Sequence, residues 1–257
     1  MEPTERQKEI LNSIIETHIK FAEPVSSKFL EEKYRFGICP ATIRIEMQKL
    51  TEEGFIFQPH TSAGRVPTDK GYRFFVDDLF ERKSLRKGTD FEGEEDKSSS
   101  YHFAVARECK DWIEKEMTDS IKIIQAVTKN LASISSNLAL AYLPDLEILW
   151  KEGWEEIIKE PEFEEKKASI DDFIEMINSF EEEIGSLKIN SNNDSSIRVY
   201  IGKENPFPKA REFSTIVSRC HFPKEENGIL AIFGPKRMDY NKNIGLMDHL
   251  VRLLEEI

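Results

Sequence analysis

A chain of 257 residues, 39% of them hydrophobic, is long enough to bury two or three small cores. Its net charge of -12 weighs against a polyanion as partner for the chain as a whole, and no apolar run is long enough to span a bilayer. Cys39, Cys109 and Cys220 lie too far apart for a metal-ligand set, and with no signal peptide opening the chain they read as reduced thiols of a cytoplasmic protein.

The charge is unevenly spread. Residues 1–75 hold 11 Lys+Arg and 11 Asp+Glu, whereas residues 76–257 hold 25 and 37. The N-terminal part therefore carries no net repulsion toward phosphates, and the acidic remainder is unsuited to touch them.

Thr4 followed by Gln7 is a capping-box start, and Ile10, Leu11, Ile14, Ile15 and Ile19 then share one helical face. Glu23-Pro24 ends that helix. Ser26 caps a second, shorter helix with Phe29, Leu30 and Tyr34 turned inward, and Arg35 to Ile38 makes a turn. Pro40 suits a first helical position. The third helix is expected from about Pro40 to Glu53, stopping at Gly54. Ile43, Met47 and Leu50 form its inward face, and Thr42, Ile45, Gln48 and Lys49 the outward one, with Arg44 on the flank.

The run Phe55-Ile56-Phe57 suits a strand. After it come a polar tip, His60-Thr61-Ser62-Ala63-Gly64, then Arg65, Val66-Pro67, and Thr68 as the cap of a new helix. Helix, turn, helix and hairpin in that order read as a winged helix-turn-helix. In that reading Gly64 supplies a positive φ angle and a close backbone approach to phosphate. Arg65 reaches into a minor groove, and the outward Ile45 packs on thymine methyl groups. A helical domain with a merely solvated face, or a winged helix used for protein contacts, is the alternative.

Residues 84–100, SLRKGTDFEGEEDKSSS, lack apolar anchors and read as a flexible linker. Phe103, Ala106, Ile113, Met117, Ile124, Leu131 and Ile134 mark a long amphipathic helical region. Leu138 to Leu143 suits a strand. Leu146 to Lys159 is expected to be helical, with Leu149, Trp150, Trp154, Ile157 and Ile158 buried. Ser169 begins another helix whose inward face is Ile170, Phe173, Ile174, Ile177, Ile184 and Leu187. Three strand-like stretches follow, from Ile197 to Ile201, Glu212 to Phe222 and Ile229 to Phe233. A closing helix from Asp239 to Ile257 aligns Ile244, Met247, Leu250, Val251 and Leu254. This is an α+β domain on an antiparallel sheet. The helical region from Phe103 and the closing helix carry more apolar positions than one small sheet covers, which makes them expected parts of a subunit interface.

The sequence has no Gly-rich phosphate loop, no metal-spaced His or Cys cluster and no nucleophile motif. It reads as a non-enzyme with no catalytic residue, no metal site and no cofactor.

The segment CPATIRIEMQKLTEEGFIFQPHTSAGRVPTDKGYRFFVD resembles the DNA-binding domain of the heat-inducible transcription repressors of bacteria, the HrcA family. TERQKEILNSIIETHIKFAEPVSSKFLEE is similar to that family's first two helices, and VYIGKENPFP and IFGPKRMDY to its C-terminal part. The resemblance implies repression of chaperone genes by a homodimer on an inverted-repeat operator. It also implies dependence on a GroEL-type chaperonin and a GAF-like C-terminal domain. Cys39 stands where the family leads us to expect a serine cap, and Ile45 where it leads us to expect asparagine. The middle of the chain is short, so that most of an inserted dimerisation subdomain is absent.

The chain is thus read as a winged helix-turn-helix over residues 1–80, a linker over 81–100 and a GAF-like α+β dimerisation and regulatory domain over 101–257. Its expected DNA-binding residues are Thr42, Arg44, Ile45, Gln48, Lys49, His60, Thr61, Ser62, Gly64 and Arg65. A small-molecule-responsive regulator with the C-terminal domain as sensor, and a winged-helix scaffold that binds only protein, are the alternatives.

Overall fold

A computed structural model describes residues 2–34, 36–87, 120–164, 171, 174–175, 177–180, 197–206, 208–222 and 226–255. The chain divides into two compact units, Met1–Thr89 and Asp90–Ile257.

In the first unit, α1 (Glu5–Phe21) opens with the expected capping box. The Gln7 backbone N–H donates to Thr4 Oγ1, and the Thr4 N–H donates to Gln7 Oε1 at 2.8 Å. Ile10, Leu11, Ile14 and Ile15 are fully buried, while Ile19 is half-buried. The short α2 (Ser27–Lys33) is capped by Ser26 and buries Leu30. Helix α3 (Pro40–Glu52) packs against both. The strands β1 (Ile56–Phe57) and β2 (Val66–Pro67) pair antiparallel, and Arg65 adds a bridge to Val25. Helix α4 (Asp69–Lys87) starts with the Gly71 N–H donating to Thr68 Oγ1. It therefore runs through residues 81–87 of the stretch expected as linker. The charged residues there carry no helix breaker before Gly88. The rest of that stretch lies outside the described residues.

The second unit is built on a five-stranded antiparallel sheet, the α+β, GAF-like architecture expected of it. Its strands are β3 (Leu138–Leu143), β4 (Ile148–Glu152), β5 (Arg198–Ile201), β6 (Phe213–Phe222) and β7 (Glu226–Pro235), ordered β4-β3-β7-β6-β5. One face buries Leu138, Leu140, Phe213, Val217, Ala231 and Phe233 with Ile157, Ile177 and Phe180. Phe180 and Phe233 meet edge to face with centroids 4.6 Å apart. The opposite face is covered by α5 (Ser120–Ser135) and the closing helix α6 (Tyr240–Glu255), which touch each other. Each large apolar side chain so buried contributes about 1.5–3 kcal/mol of transfer free energy.

Three expectations change here. Residues 148–152 form a strand, not part of a helix. Pro144–Leu146 makes a tight 3-10 turn, Glu147 takes a left-handed conformation, and Ile148–Glu152 folds back onto β3. Helix begins only at Trp154, after Gly153 at φ 98°. A run of three apolar residues, Ile148-Leu149-Trp150, satisfies either period, and pairing with β3 decides it. Ile158 and Ile174, expected inside, are exposed at 49% and 43%. On the closing helix, Ile244, Met247, Leu250, Val251 and Leu254 are all buried within the protomer, so that face leaves nothing over for a second subunit. The expected apolar positions at Phe103, Ala106, Ile113 and Met117, and at Ile170, Phe173, Ile184 and Leu187, lie outside the described residues.

Candidate nucleic-acid interface

The candidate interface is organised around α3, and the sequence positions this helix from both ends. Pro40 occupies its first turn, and Cys39 is the N-cap residue, with extended backbone but no side-chain capping bond. The Cys39 Sγ lies 3.3 Å from Thr42 Oγ1, and this hydrogen bond holds the thiol below its ordinary pKa. At the other end, Gly54 turns the chain at φ 79°. There Lys70 Nζ donates to the Glu53 carbonyl at 2.7 Å while lying 4.0 Å from the Phe55 ring centroid. A cation at that position also complements the helix dipole.

The inward face of α3 holds Ile43, Met47 and Leu50, all buried as expected. Between them lies a residue that the sequence pattern did not single out. Glu46 is only 8% exposed, and its Oε2 accepts from Gln7 Nε2 at 3.0 Å. The glutamine of the α1 capping box thus also anchors α3. Glu46 Oε1 accepts from Lys49 Nζ at 3.1 Å. A buried carboxylate with both oxygens engaged is tolerated where an unpartnered one would cost several kcal/mol.

The outward face is as expected. Arg44, Ile45, Gln48 and Lys49 are exposed, Ile45 at 56%, and Thr42 is half-buried. Lys49 is partly neutralised by Glu46. Arg44 makes no hydrogen bond or ion pair among the described residues, so its charge is free for a ligand.

The wing is closed by its own side chains. Gln58 Nε2 donates to the carbonyls of Thr61 at 3.0 Å and Ala63 at 2.9 Å. The Ala63 N–H donates to the His60 carbonyl, and His60 Nδ1 lies 3.2 Å from Ser62 Oγ. His60, Thr61 and Ser62 are exposed together at the tip. Gln58 was not among the expected residues. A glutamine two residues before a turn carries too weak a signal to mark it.

Gly64 is present for a different reason from the one expected. It does not take a positive φ angle. A Cβ there would lie 2.5 Å from the Val25 carbonyl carbon and oxygen and 2.7 Å from Pro24 C. The glycine lets the wing return against the α1–α2 connection. Arg65, next in the chain, exchanges two backbone hydrogen bonds with Val25, at 2.9 and 2.8 Å. Its guanidinium folds over α3, with Nε donating to Thr51 Oγ1 at 3.1 Å and Nη2 to Gln48 Oε1 at 3.4 Å. The structure therefore joins the helix residue Gln48 to the wing residue Arg65. Among the described residues, no cluster of His, Cys, Asp or Glu could hold a metal ion, and no helix is long and apolar enough to cross a membrane.

A family model described as the C-terminal domain of the HrcA protein matches residues 97–244. The heat-inducible transcription repressor HrcA of Desulfitobacterium hafniense is 26% identical over 358 aligned residues, covering 100% of this chain and 98% of that one. About a hundred of those aligned positions have no counterpart in this chain, which is shorter than that relative. The same repressor of Thermodesulfovibrio yellowstonii is 27% identical, covering 97% of this chain and 96% of its own. The HrcA repressor of a Parafrankia species is 54% identical over 83 residues, 32% of this chain and 24% of its own. Among solved structures, a crystal structure at 2.2 Å resolution described as a hypothetical protein has a TM-score of 0.78 at 19% identity. It covers 99% of this chain and 98% of its own, and this likeness speaks to the fold alone. The comparisons lend no support to the small-molecule sensor.

Proposed function

The chain belongs to the HrcA family, and from that premise we propose that it is a heat-inducible transcription repressor that reads duplex DNA with α3 and the wing. The full-length relatives bear that name, and they are regulators rather than enzymes. The observation that carries the reading is the outward face of α3. Arg44, Ile45, Gln48 and Lys49 are exposed side by side on a helix whose other face is wholly buried, in a part of the chain with no net charge. A helix with a free arginine and a glutamine on its exposed face matches the donors and acceptors of a major groove. Thr42 flanks that face, and the backbone and side chains of His60, Thr61, Ser62 and Gly64 offer the wing to the adjacent phosphates.

The finer points rest on the family resemblance. The repressor acts as a homodimer on an inverted-repeat operator, because one winged helix covers one half-site and a symmetric operator needs two related by a two-fold axis. Residues 101–257 form the dimerisation and regulatory domain. A GroEL-type chaperonin brings the chain to its binding-competent form, and the protein works in the cytoplasm. Selection of bound duplexes from a random pool tests the reading. A two-fold symmetric consensus is expected. Recovery of unselected sequence would leave α3 with a solvated or protein-binding role.

A further inference from the structure

We infer that Arg65 is a positioning residue for base readout, setting the amide of Gln48 in the orientation that reads an A·T pair. This inference rests on the proposed reading of DNA by α3.

Arg65 is the end of two hydrogen-bond chains that run onto the recognition helix. In the first, Nε donates to Thr51 Oγ1, whose own hydroxyl proton goes to the Met47 carbonyl at 2.8 Å. The hydroxyl can accept from Arg65 because its donor is already committed. In the second, Arg65 Nη2 donates to Gln48 Oε1, and Gln48 Nε2 donates to Glu52 Oε1 at 3.1 Å. The chemistry of the two ends fixes the amide between them. A guanidinium only donates and an ionised carboxylate only accepts. The atom facing Arg65 must therefore be the oxygen, and the atom facing Glu52 the nitrogen.

The amide so held is not used up. A carboxamide oxygen has two lone pairs and its nitrogen two protons, and each has spent one. One acceptor and one donor remain, which is the complement of the N6 donor and N7 acceptor on the major-groove edge of adenine. A free glutamine would lose rotamer entropy on making that bidentate contact and would offer its flipped form equally well. Here both costs are met before DNA arrives.

The backbone makes Arg65 a fixed point. Its N–H and C=O are both bonded to Val25, in the connection between α1 and α2. Gly64 brings that strand to within contact of Pro24 and Val25. The wing therefore acts on specificity at a base that it does not itself touch.

The test compares the full chain with Arg65→Lys, Thr51→Val, Gln48→Ala and the Arg65→Lys/Gln48→Ala double variant. Each is titrated against the selected operator and against operators with every half-site base pair exchanged in turn, over a range of salt. Lysine keeps the charge but not the two-pronged donor geometry. The wild type should prefer A·T at one symmetric position, and Gln48→Ala should abolish that preference. Arg65→Lys should reduce it by roughly fivefold or more, with an unchanged salt slope, and the double variant should lose no more than Gln48→Ala. Thr51→Val should lower the same preference in part, and it decides the matter if thermal melting shows that Arg65→Lys does not fold. An Arg65→Lys protein with wild-type preference at the position lost in Gln48→Ala overturns the positioning role, as do additive losses in the double variant. A wild type with no preference at any position overturns the DNA reading itself.

Discussion

At the scale of single residues, the exposed cations of α3 are not equivalent. Arg44 has no partner among the described residues, whereas Lys49 already faces the buried carboxylate of Glu46. Binding DNA with Lys49 means sharing a charge that Glu46 holds. Arg44→Ala is therefore expected to weaken operator binding by about 1–3 kcal/mol, and Lys49→Ala by less. Gel-shift titration of both variants decides it, and a larger loss for Lys49 would mean that the Glu46 pair opens on DNA. Cys39 offers a second measurement at this scale. It is exposed, and its bond to Thr42 lowers the thiol pKa, so the thiolate forms earlier as pH rises. Cys220 is buried, and desolvation pushes its thiol far up. Alkylation followed by peptide mapping should label Cys39 in the native protein, with a pH midpoint below that of an ordinary thiol. Cys220 should react only after unfolding. Equal labelling of the two would contradict the burial of Cys220.

At the scale of elements, side-chain hydrogen bonds tie α3 to α1 and to Arg65, and backbone hydrogen bonds tie the wing to the α1–α2 connection. Gly64→Ala puts a methyl group against the Pro24 and Val25 backbone, which cannot move as a side chain can. The variant should lose more than about 1 kcal/mol of stability. It should also bind operator less tightly, since the displaced wing carries Arg65 away from Gln48. A denaturant midpoint equal to that of the wild type would show that the strand has room to shift. Gln7→Ala tests the other link. It removes half of the α1 capping box and leaves a Glu46 oxygen without its donor. A loss of about 1–3 kcal/mol is expected, read from chemical denaturation at constant slope.

At the scale of the whole molecule, the proposed homodimer needs a surface on which two copies can meet. The apolar face of the closing helix is spent on the protomer's own sheet. Among the described residues of the second unit, the exposed large apolar ones are instead Ile121, Leu146, Ile158 and Ile174, at 43–49% exposure. The full chain should scatter light as a dimer, and a fragment of residues 1–80 as a monomer. Ile121→Asp or Ile158→Asp should shift the full chain toward monomer without lowering its melting temperature at equal subunit concentration by more than dissociation itself does. A full chain that stays monomeric at high micromolar concentration would remove the homodimer from the proposed function.

Local pattern was sufficient for a large part of this protein. The Thr4–Gln7 capping box, the buried stripes of α1, α3 and the closing helix, and the strands β3, β5, β6 and β7 follow from periodicity and end signals, which depend on neighbours a few residues away. So does the exposed face of Arg44, Ile45, Gln48 and Lys49, because a helix with one buried stripe must turn the opposite one outward. Family resemblance added the function, which no period encodes. The tertiary structure decided whatever depends on a partner distant in sequence. Ile148–Glu152 is a strand because β3 offers its edge, although its apolar run also fits a helix. Gly64 is needed because Pro24 and Val25, some forty residues earlier, pass against it. Arg65 lies on Gln48 and Thr51, and Glu46 is satisfied by Gln7, across separations that no local rule spans. Hydrogen bonds of this kind are chosen only when the backbone has already brought donor and acceptor together. For that reason the surface of α3 was legible in the sequence, and the network that orients it was not.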